Sequence, residues 1–415
     1  MHIDLDLKGR GLGLLVFVLS FFYLGYLYSA VPALFTIALS VVVWLLYRPI
    51  AAADFPRKVL AYGVFFITPL LTYTGQIAVL TGFGGEGASL PWVGVSFVTA
   101  ALAVHIYQQK LDFLTLCLNI LQPARMDSGP VAVNNAPLGR LRLRRLKVYV
   151  GWMALGIFFY TVLATGLAPF LVLRDSTEPV DILAFSIIFE LYVYFNFSGL
   201  TFFVFGLLNL AGVRTTLNFN MPFAARNVID YWQRWHISLS GVLKEIFFKP
   251  VKRRCGLVVA VMVVFLSSAA WHGMSLNFFI WGIFHAAGWL LTYAIVRLVS
   301  HRRFALVINF LLFPFFVVVG RLIFSEPSTA LLGQKLKQLF FNFSFSPQAW
   351  LFNLKVDGQS LLLLAIIVAC VVLEVFAKRS RQRYQWLRQK WVTPLLLLLS
   401  IFLGSTGLGG VYGAR

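Results

Sequence analysis

Six histidines are scattered along this chain of 415 residues, and three of them, His236, His272 and His285, are candidates for chemistry beside or within apolar runs. An ionisable group at such a position is expensive and is usually there for function. His272 ends a run in the string SSAAWHGMS, next to Gly273 and one turn after the small residues Ser267 to Ala270. Small residues let helices approach closely, so this ring is expected to be poorly solvated. Neutral imidazole is the form a general base needs. The bland alternative is a buried histidine bonded to a backbone carbonyl. His285, in WGIFHAAGW on the following run, either packs between helices or lines the same cavity as His272. His236 lies in YWQRWHISLSGVLKEIFF, with Trp232, Trp235, Ser238 and Ser240 around it and Arg234 two residues back. That stretch has two readings. It is an interfacial amphipathic helix whose histidine reaches toward headgroups, or a segment that turns its hydroxyls and His236 into a polar tunnel. His2, near the first residue, and His301, in a basic loop, read as bland, and His105, beside Tyr107 and Gln108, as interfacial.

The elements that must position these residues are membrane helices. The chain is 60% hydrophobic and 12% charged, about half the charged share of a soluble domain. Apolar runs long enough to cross a bilayer recur throughout. They are continuous rather than alternating, which excludes a β-barrel. The expected architecture is all-α: a polytopic bundle of eleven transmembrane helices at 11–28, 30–47, 59–82, 90–107, 148–173, 182–212, 256–271, 277–297, 304–323, 360–377 and 392–411, with re-entrant or interfacial helices added. The whole chain reads as a single membrane domain. Nothing marks a cleavable signal peptide, so the first run is expected to be a retained span.

The net charge of +20 does not point to nucleic acid. Lys and Arg cluster in short loops, at Arg48–Lys58, Arg125–Lys147, Arg214–Arg254, Arg297–Arg303 and Lys378–Lys390. Acidic or polar loops fall at Gly82–Ser89, Arg174–Asp181 and Ser325–Ser360. With the N-terminus inside, the two sets alternate across every span, as the positive-inside rule requires. Residues 112–124 are too short to cross, and 219–248 mix aromatics with charges; both are expected to be re-entrant or interfacial on the cytoplasmic side. The run 182–212 is over-long and contains Glu190, Asn196 and Ser198, which at that depth are expected to face an interior cavity.

Other chemistry is not signalled. Cys117, Cys255 and Cys370 form neither a metal-ligand spacing nor a disulfide framework, and no metal site is expected. There is no phosphate-cradling Gly-Lys-Ser/Thr loop, no H-x-x-x-H pair and no G-x-S-x-G elbow.

Five stretches, in order, resemble the membrane-bound O-acyltransferase family over roughly Leu90 to Gly288. They are LPWVGVSFVTAALAVHIYQ (Leu90–Gln108), FLTLCLNILQPARMDSGPV (Phe113–Val131), YVYFNFSGLTFFVFGLLNLAGV (Tyr192–Val213), NFNMPFAARNVIDYWQRWHISLSGVLKEIFF (Asn218–Phe248) and WHGMSLNFFIWGIFHAAG (Trp271–Gly288). The fourth and fifth are similar to the family's "RWHISLS" and "WHG" motifs, and finding both with an apolar span between them is specific. The closest likeness is to the bacterial branch that handles alginate O-acetylation and teichoic acid D-alanyl transfer. The chain departs from the pattern at Asn196, where Asp is usual, at Leu200, where Tyr is usual, and at Ala286, where the motif ends in Gly.

The resemblance implies a central tunnel, His272 as catalytic base and His236 as a second motif histidine on the acyl-donor path. Trp271, Trp235, Arg234, Ser238, Asn218, Asn196, Ser198 and His285 become candidate tunnel- or substrate-lining residues. It implies no bound cofactor, and an acyl thioester donor, acetyl-CoA or an acyl carrier protein, on the cytoplasmic side of a bacterial inner membrane. A partner protein on the outer side and a polysaccharide acceptor complete the expected set, with membrane lipid around the bundle. Acetyl is preferred over D-alanyl. A lipid or acyl-donor transporter without chemistry is the alternative of another class, but transport alone does not need both histidines in these motifs.

Overall fold

The computed structural model describes residues 30–80, 92–112, 116, 120–121, 129–131, 145–299, 301–344, 358–376 and 384–404. The described elements are helical: α1 (Ala30–Ile50), α2 (Asp54–Leu80), α3 (Trp92–Tyr107), α4 (Leu146–Phe158), α5 (Pro179–Leu210), α6 (Val228–Trp232), α7 (Ile237–Leu243), α8 (Lys249–His272), α9 (Leu276–Leu298), α10 (Arg302–Ser325), α11 (Thr329–Phe341), α12 (Gly358–Phe376) and α13 (Val392–Leu403). Wider and tighter helical turns carry α4 on to Asp175 and join α7 to α8.

Five stretches are long and apolar enough to cross a membrane: 146–175, 179–210, 237–272, 276–298 and 303–325. Shorter apolar helices fall at 36–50, 95–107, 360–376 and 392–403. The chain is a multi-pass membrane protein. The expected spans from 30–47 onward each coincide with a helix, while 11–28 lies outside the described residues. The span expected at 256–271 begins where Gly256 (φ 82°) breaks α8 and separates it from the polar helical residues 249–255. One boundary is corrected. The helix of the span expected at 392–411 ends at Leu403, where Gly404 N–H bonds back to the Ser400 carbonyl, and 405–411 lies outside the described residues.

The chain packs as two compact units. One comprises 1–149, 204–218 and 236–274; the other comprises 150–203, 219–235 and 275–415. In the first, α2 packs along α3, and α7 and α8 join them. Helix α3 is apolar on all sides, and from Val95 to Ile106 all of it is buried, as expected of a helix with no polar face. This corrects the interfacial reading of His105, whose fully buried ring donates from Nδ1 to the Ala101 carbonyl at 2.8 Å. Tyr62, Phe65, Phe66 and Phe247 form an aromatic cluster between α2 and the α7–α8 junction.

In the second unit, α4 and α5 meet at Gly156 and Gly199. A Cβ built on Gly156 would lie 2.5 Å from the Gly199 carbonyl oxygen, and one on Gly199 would lie 2.9 Å from the Gly156 carbonyl oxygen. Helix α9 meets α10 in the same manner, with Gly288 against the Phe316 ring and Gly320 against the His285 imidazole. In lipid the apolar effect does not drive helices together, so such close approach carries much of the association. At the ends of these helices, Lys335 donates to the Glu326 carboxylate (2.8 Å) and the Arg174 carbonyl, all but removed from solvent. The Asn277 side chain donates to the Glu326 carbonyl and accepts from Thr329.

Gly156→Ala should therefore lower stability by about 1–3 kcal/mol through overpacking. Gly63, on α2, has nothing within 4 Å of its would-be Cβ, so Gly63→Ala should leave stability unchanged or raise it. Melting temperatures of the two variants in detergent check the contrast.

Candidate functional site

His236 and His272 fall in the same unit, and aromatic rings bring them together. Trp271 ends α8. Its indole meets the His272 ring edge-on at 4.9 Å between centroids and the His236 ring edge-on at 5.8 Å. Phe97, from α3, closes the group, 5.9 Å from His236 and 5.7 Å from Trp271. His236 is buried and His272 half-buried, and His272 is near enough to act on His236 electrostatically. Among the described residues no group of three or more His, Cys, Asp or Glu side chains is placed to hold a metal ion.

The local chain explains why His236 sits where it does. It precedes α7 in the left-handed region, at φ 45° and ψ 51°, which is rare for a residue with a Cβ. Asn218 holds the residues that follow. Its backbone carbonyl accepts from Ile237 N–H at 2.8 Å, and its Oδ1 accepts from Ser238 N–H at 3.1 Å and from the Ser238 hydroxyl at 2.8 Å. The same hydroxyl accepts from Val131 N–H at 3.0 Å. Val131 follows Gly129 and Pro130, and a Cβ on Gly129 (φ 77°) would press on the Phe97 ring at 3.1 Å. Asn218, Ser238, Gly129–Val131 and Phe97 thus form one chain of contacts around His236. Asn218 and Ser238, candidate tunnel-lining residues by sequence, fix the turn that carries the histidine.

The remaining sequence candidates belong to the other unit. Trp235 stacks on Tyr231 at 5.5 Å, meets Phe219 edge-on at 5.0 Å and takes the Arg321 guanidinium at 5.4 Å. Arg321 donates from Nε to Glu190 at 2.5 Å, and the Tyr231 hydroxyl donates to the other Glu190 oxygen at 2.7 Å. Glu190 is therefore ion-paired and hydrogen-bonded. This corrects the expectation that it faces a cavity: a buried carboxylate is tolerated once its lone pairs are satisfied. Arg234 pairs with Asp230 at 2.7 Å and donates to the Asn220 carbonyl at 3.1 Å. Ser198 donates to the Tyr194 carbonyl one turn back. The Asn196 amide donates weakly to the Tyr192 hydroxyl at 3.5 Å, and its carbonyl oxygen has no partner among the described residues. His285 is buried among Trp232, Trp281 and Phe284. His285 packs against Gly320 of α10, the first of the two readings its sequence position offered.

Sequence reasoning quoted the stretches holding Phe97 and Gly129–Val131 but did not single out these residues. The signal available was the Gly-Pro pair, whose φ demand only glycine meets without strain. Glu374 on α12 was also missed. Its carboxylate accepts from the Tyr194 hydroxyl and from Phe223 N–H, both at 2.8 Å. A lone Glu in an apolar run was the signal.

Residues 143–329 match the membrane-bound O-acyltransferase family. Among curated proteins it is similar to a peptidoglycan O-acetyltransferase of Helicobacter pylori, 32% identical over 42% of this chain. A teichoic acid D-alanyltransferase of Bacillus subtilis is 31% identical over 24% of it. A probable alginate O-acetylase of Azotobacter vinelandii is 27% identical over 45%. The matched segments span 36%, 28% and 38% of those proteins' own length.

Ser238→Ala should strand Val131 N–H and one acceptance of Asn218, at about 1–3 kcal/mol for a buried unsatisfied group. The melting temperature should fall. Modification of His236 by diethyl pyrocarbonate, followed by peptide mass spectrometry, should speed up, and Ser238→Thr should restore much of both. Wild-type behaviour of Ser238→Ala would mean that the hydroxyl holds nothing.

Proposed function

We propose that this protein is an O-acyltransferase of a bacterial inner membrane. It moves an acyl group, acetyl in the preferred reading, from a cytoplasmic thioester to a hydroxyl of a cell-envelope or exported polysaccharide, directly or through a partner protein on the outer side. The observation that carries the reading is the gathering of His236, Trp271 and His272 around one another within a stretch that matches the acyltransferase family.

In this reading His272, half-buried, takes the proton from the acceptor hydroxyl. The acceptor oxygen forms the new C–O bond, the C–S bond of the thioester breaks, and the thiolate leaves with the proton returned by the imidazolium. His236, enclosed against Phe97, lies on the donor path. Lys252, Arg253 and Arg254, exposed at the start of α8, suit the phosphates of coenzyme A or of a carrier protein's phosphopantetheine. Relatives that acetylate peptidoglycan and alginate support acetyl over D-alanyl, and the teichoic acid relative keeps D-alanyl as the second reading.

The test uses the full chain in a strain deleted for it. Radiolabelled acetate or D-alanine is supplied, and the initial rate at which alkali-labile label enters envelope polysaccharide is measured. His272→Ala should lower that rate by about 10²–10⁴, the usual contribution of a general base. The label lost identifies the acyl group. Undiminished transfer by membrane-inserted His272→Ala sinks the assignment, and undiminished transfer by a His236→Ala, His272→Ala double variant favours a transporter.

A further inference from the structure

Two buried hydrogen-bond donors border the turn that carries His236, and neither has an acceptor among the described residues. One is the indole Nε1–H of Trp271, a residue only 6% exposed; the other is the amide Nδ2 of Asn218, only 1% exposed. Buried polar groups in folded proteins are nearly always paired, so each exception calls for a reason. The indole can only donate. The amide's orientation is fixed, because its oxygen must face the Ser238 N–H, which leaves the nitrogen as the open end. Trp271 meets both imidazoles edge-on, and Asn218 bonds to the two residues after His236.

We propose that Trp271 Nε1–H and Asn218 Nδ2–H hold the carbonyl oxygen of the acyl group as it gains charge, an assignment that rests on the acyl-transfer reading. As the acceptor oxygen adds to the thioester carbon, its proton passes to imidazole and the carbonyl π pair moves onto oxygen. The two donors hold that oxyanion. The pair then returns, the C–S bond breaks, and the departing thiolate takes the proton from the imidazolium. Donors already in place and short of an acceptor suit such a charge, because nothing must reorganise when it forms. Asn218 then has two roles split between its atoms: Oδ1 positions His236 through Ser238, and Nδ2 meets the substrate.

The split makes the test clean. Asn218→Asp keeps an oxygen for both Ser238 bonds and removes the donor. Trp271→Phe keeps an aromatic ring and removes the N–H. Each is expressed as the full chain in the deletion strain, and the initial rate of alkali-labile acetate or D-alanine label is measured. Membrane abundance and the diethyl pyrocarbonate reactivity of His236 are measured beside it. The expected result is a rate lower by about 10²–10³, with abundance and His236 reactivity as in the wild type. An unchanged rate in either variant overturns the role of that donor. A lower rate accompanied by loss from the membrane or faster His236 modification assigns a packing role and overturns it as well. If the wild-type chain itself transfers no label, the acyl-transfer reading fails first and this inference with it. A labelled wild type with unimpaired variants leaves that reading standing and removes only the donors.

Discussion

The hydrogen bonds between Asn218 and the residues after His236 are the constraint on which the site depends. A left-handed residue with a side chain costs roughly 1–2 kcal/mol relative to right-handed backbone, and His236 has no glycine's freedom to offset it. Each hydrogen bond returns about 0.5–1.5 kcal/mol net, so the three bonds from Asn218 are of the size needed to hold the turn. With the turn fixed, the imidazole points at Phe97 and Trp271, and the Ser238 hydroxyl is left aligned for Val131. Release the amide, and His236 is free to relax into the helix it precedes. A histidine on a regular helix would share a face with residues three and four away; the turn instead presents it at a helix start, beside another helix's end.

Polar groups inside an apolar bundle divide by how they are partnered. Glu190 with Arg321 and Tyr231, Glu326 with Lys335, and Glu374 with Tyr194 and Phe223 each satisfy a buried charge from at least two directions. In lipid nothing else is available to do so. These sets link helices distant in sequence, 131 residues apart for Glu190 and Arg321, and their work is structural. The open donors stand apart because Trp271 borders both imidazoles and Asn218 holds the turn that carries one of them.

Much of the fold was legible because its signal is local. A run of apolar residues reads as a span whatever it packs against, and the helices from Ala30 onward fall on the expected runs. The motif strings carried His236 and His272 for the same reason. What failed was pairwise. His105 is an interfacial residue by its neighbours in sequence, yet α3 turned out to be surrounded. His285 reads as a packing residue, but its partner Gly320 is not revealed by sequence proximity. Glu190 reads as a cavity residue until its partner Arg321 is known.

The match to the acyltransferase family begins at residue 143, and the imidazoles lie inside it. Phe97, Gly129 and Val131 lie before it, yet they form the wall against which His236 is set. In the proposed reading, the chemistry and its enclosure are thus written in different parts of the chain. A general base needs the same imidazole whichever acyl group arrives, whereas the size and polarity of that group are read by what packs around it. Differences in acyl choice among such proteins are then to be sought in the residues before 143 that touch the site, above all Phe97 and the Gly129–Val131 segment, before they are sought in the histidine motifs themselves.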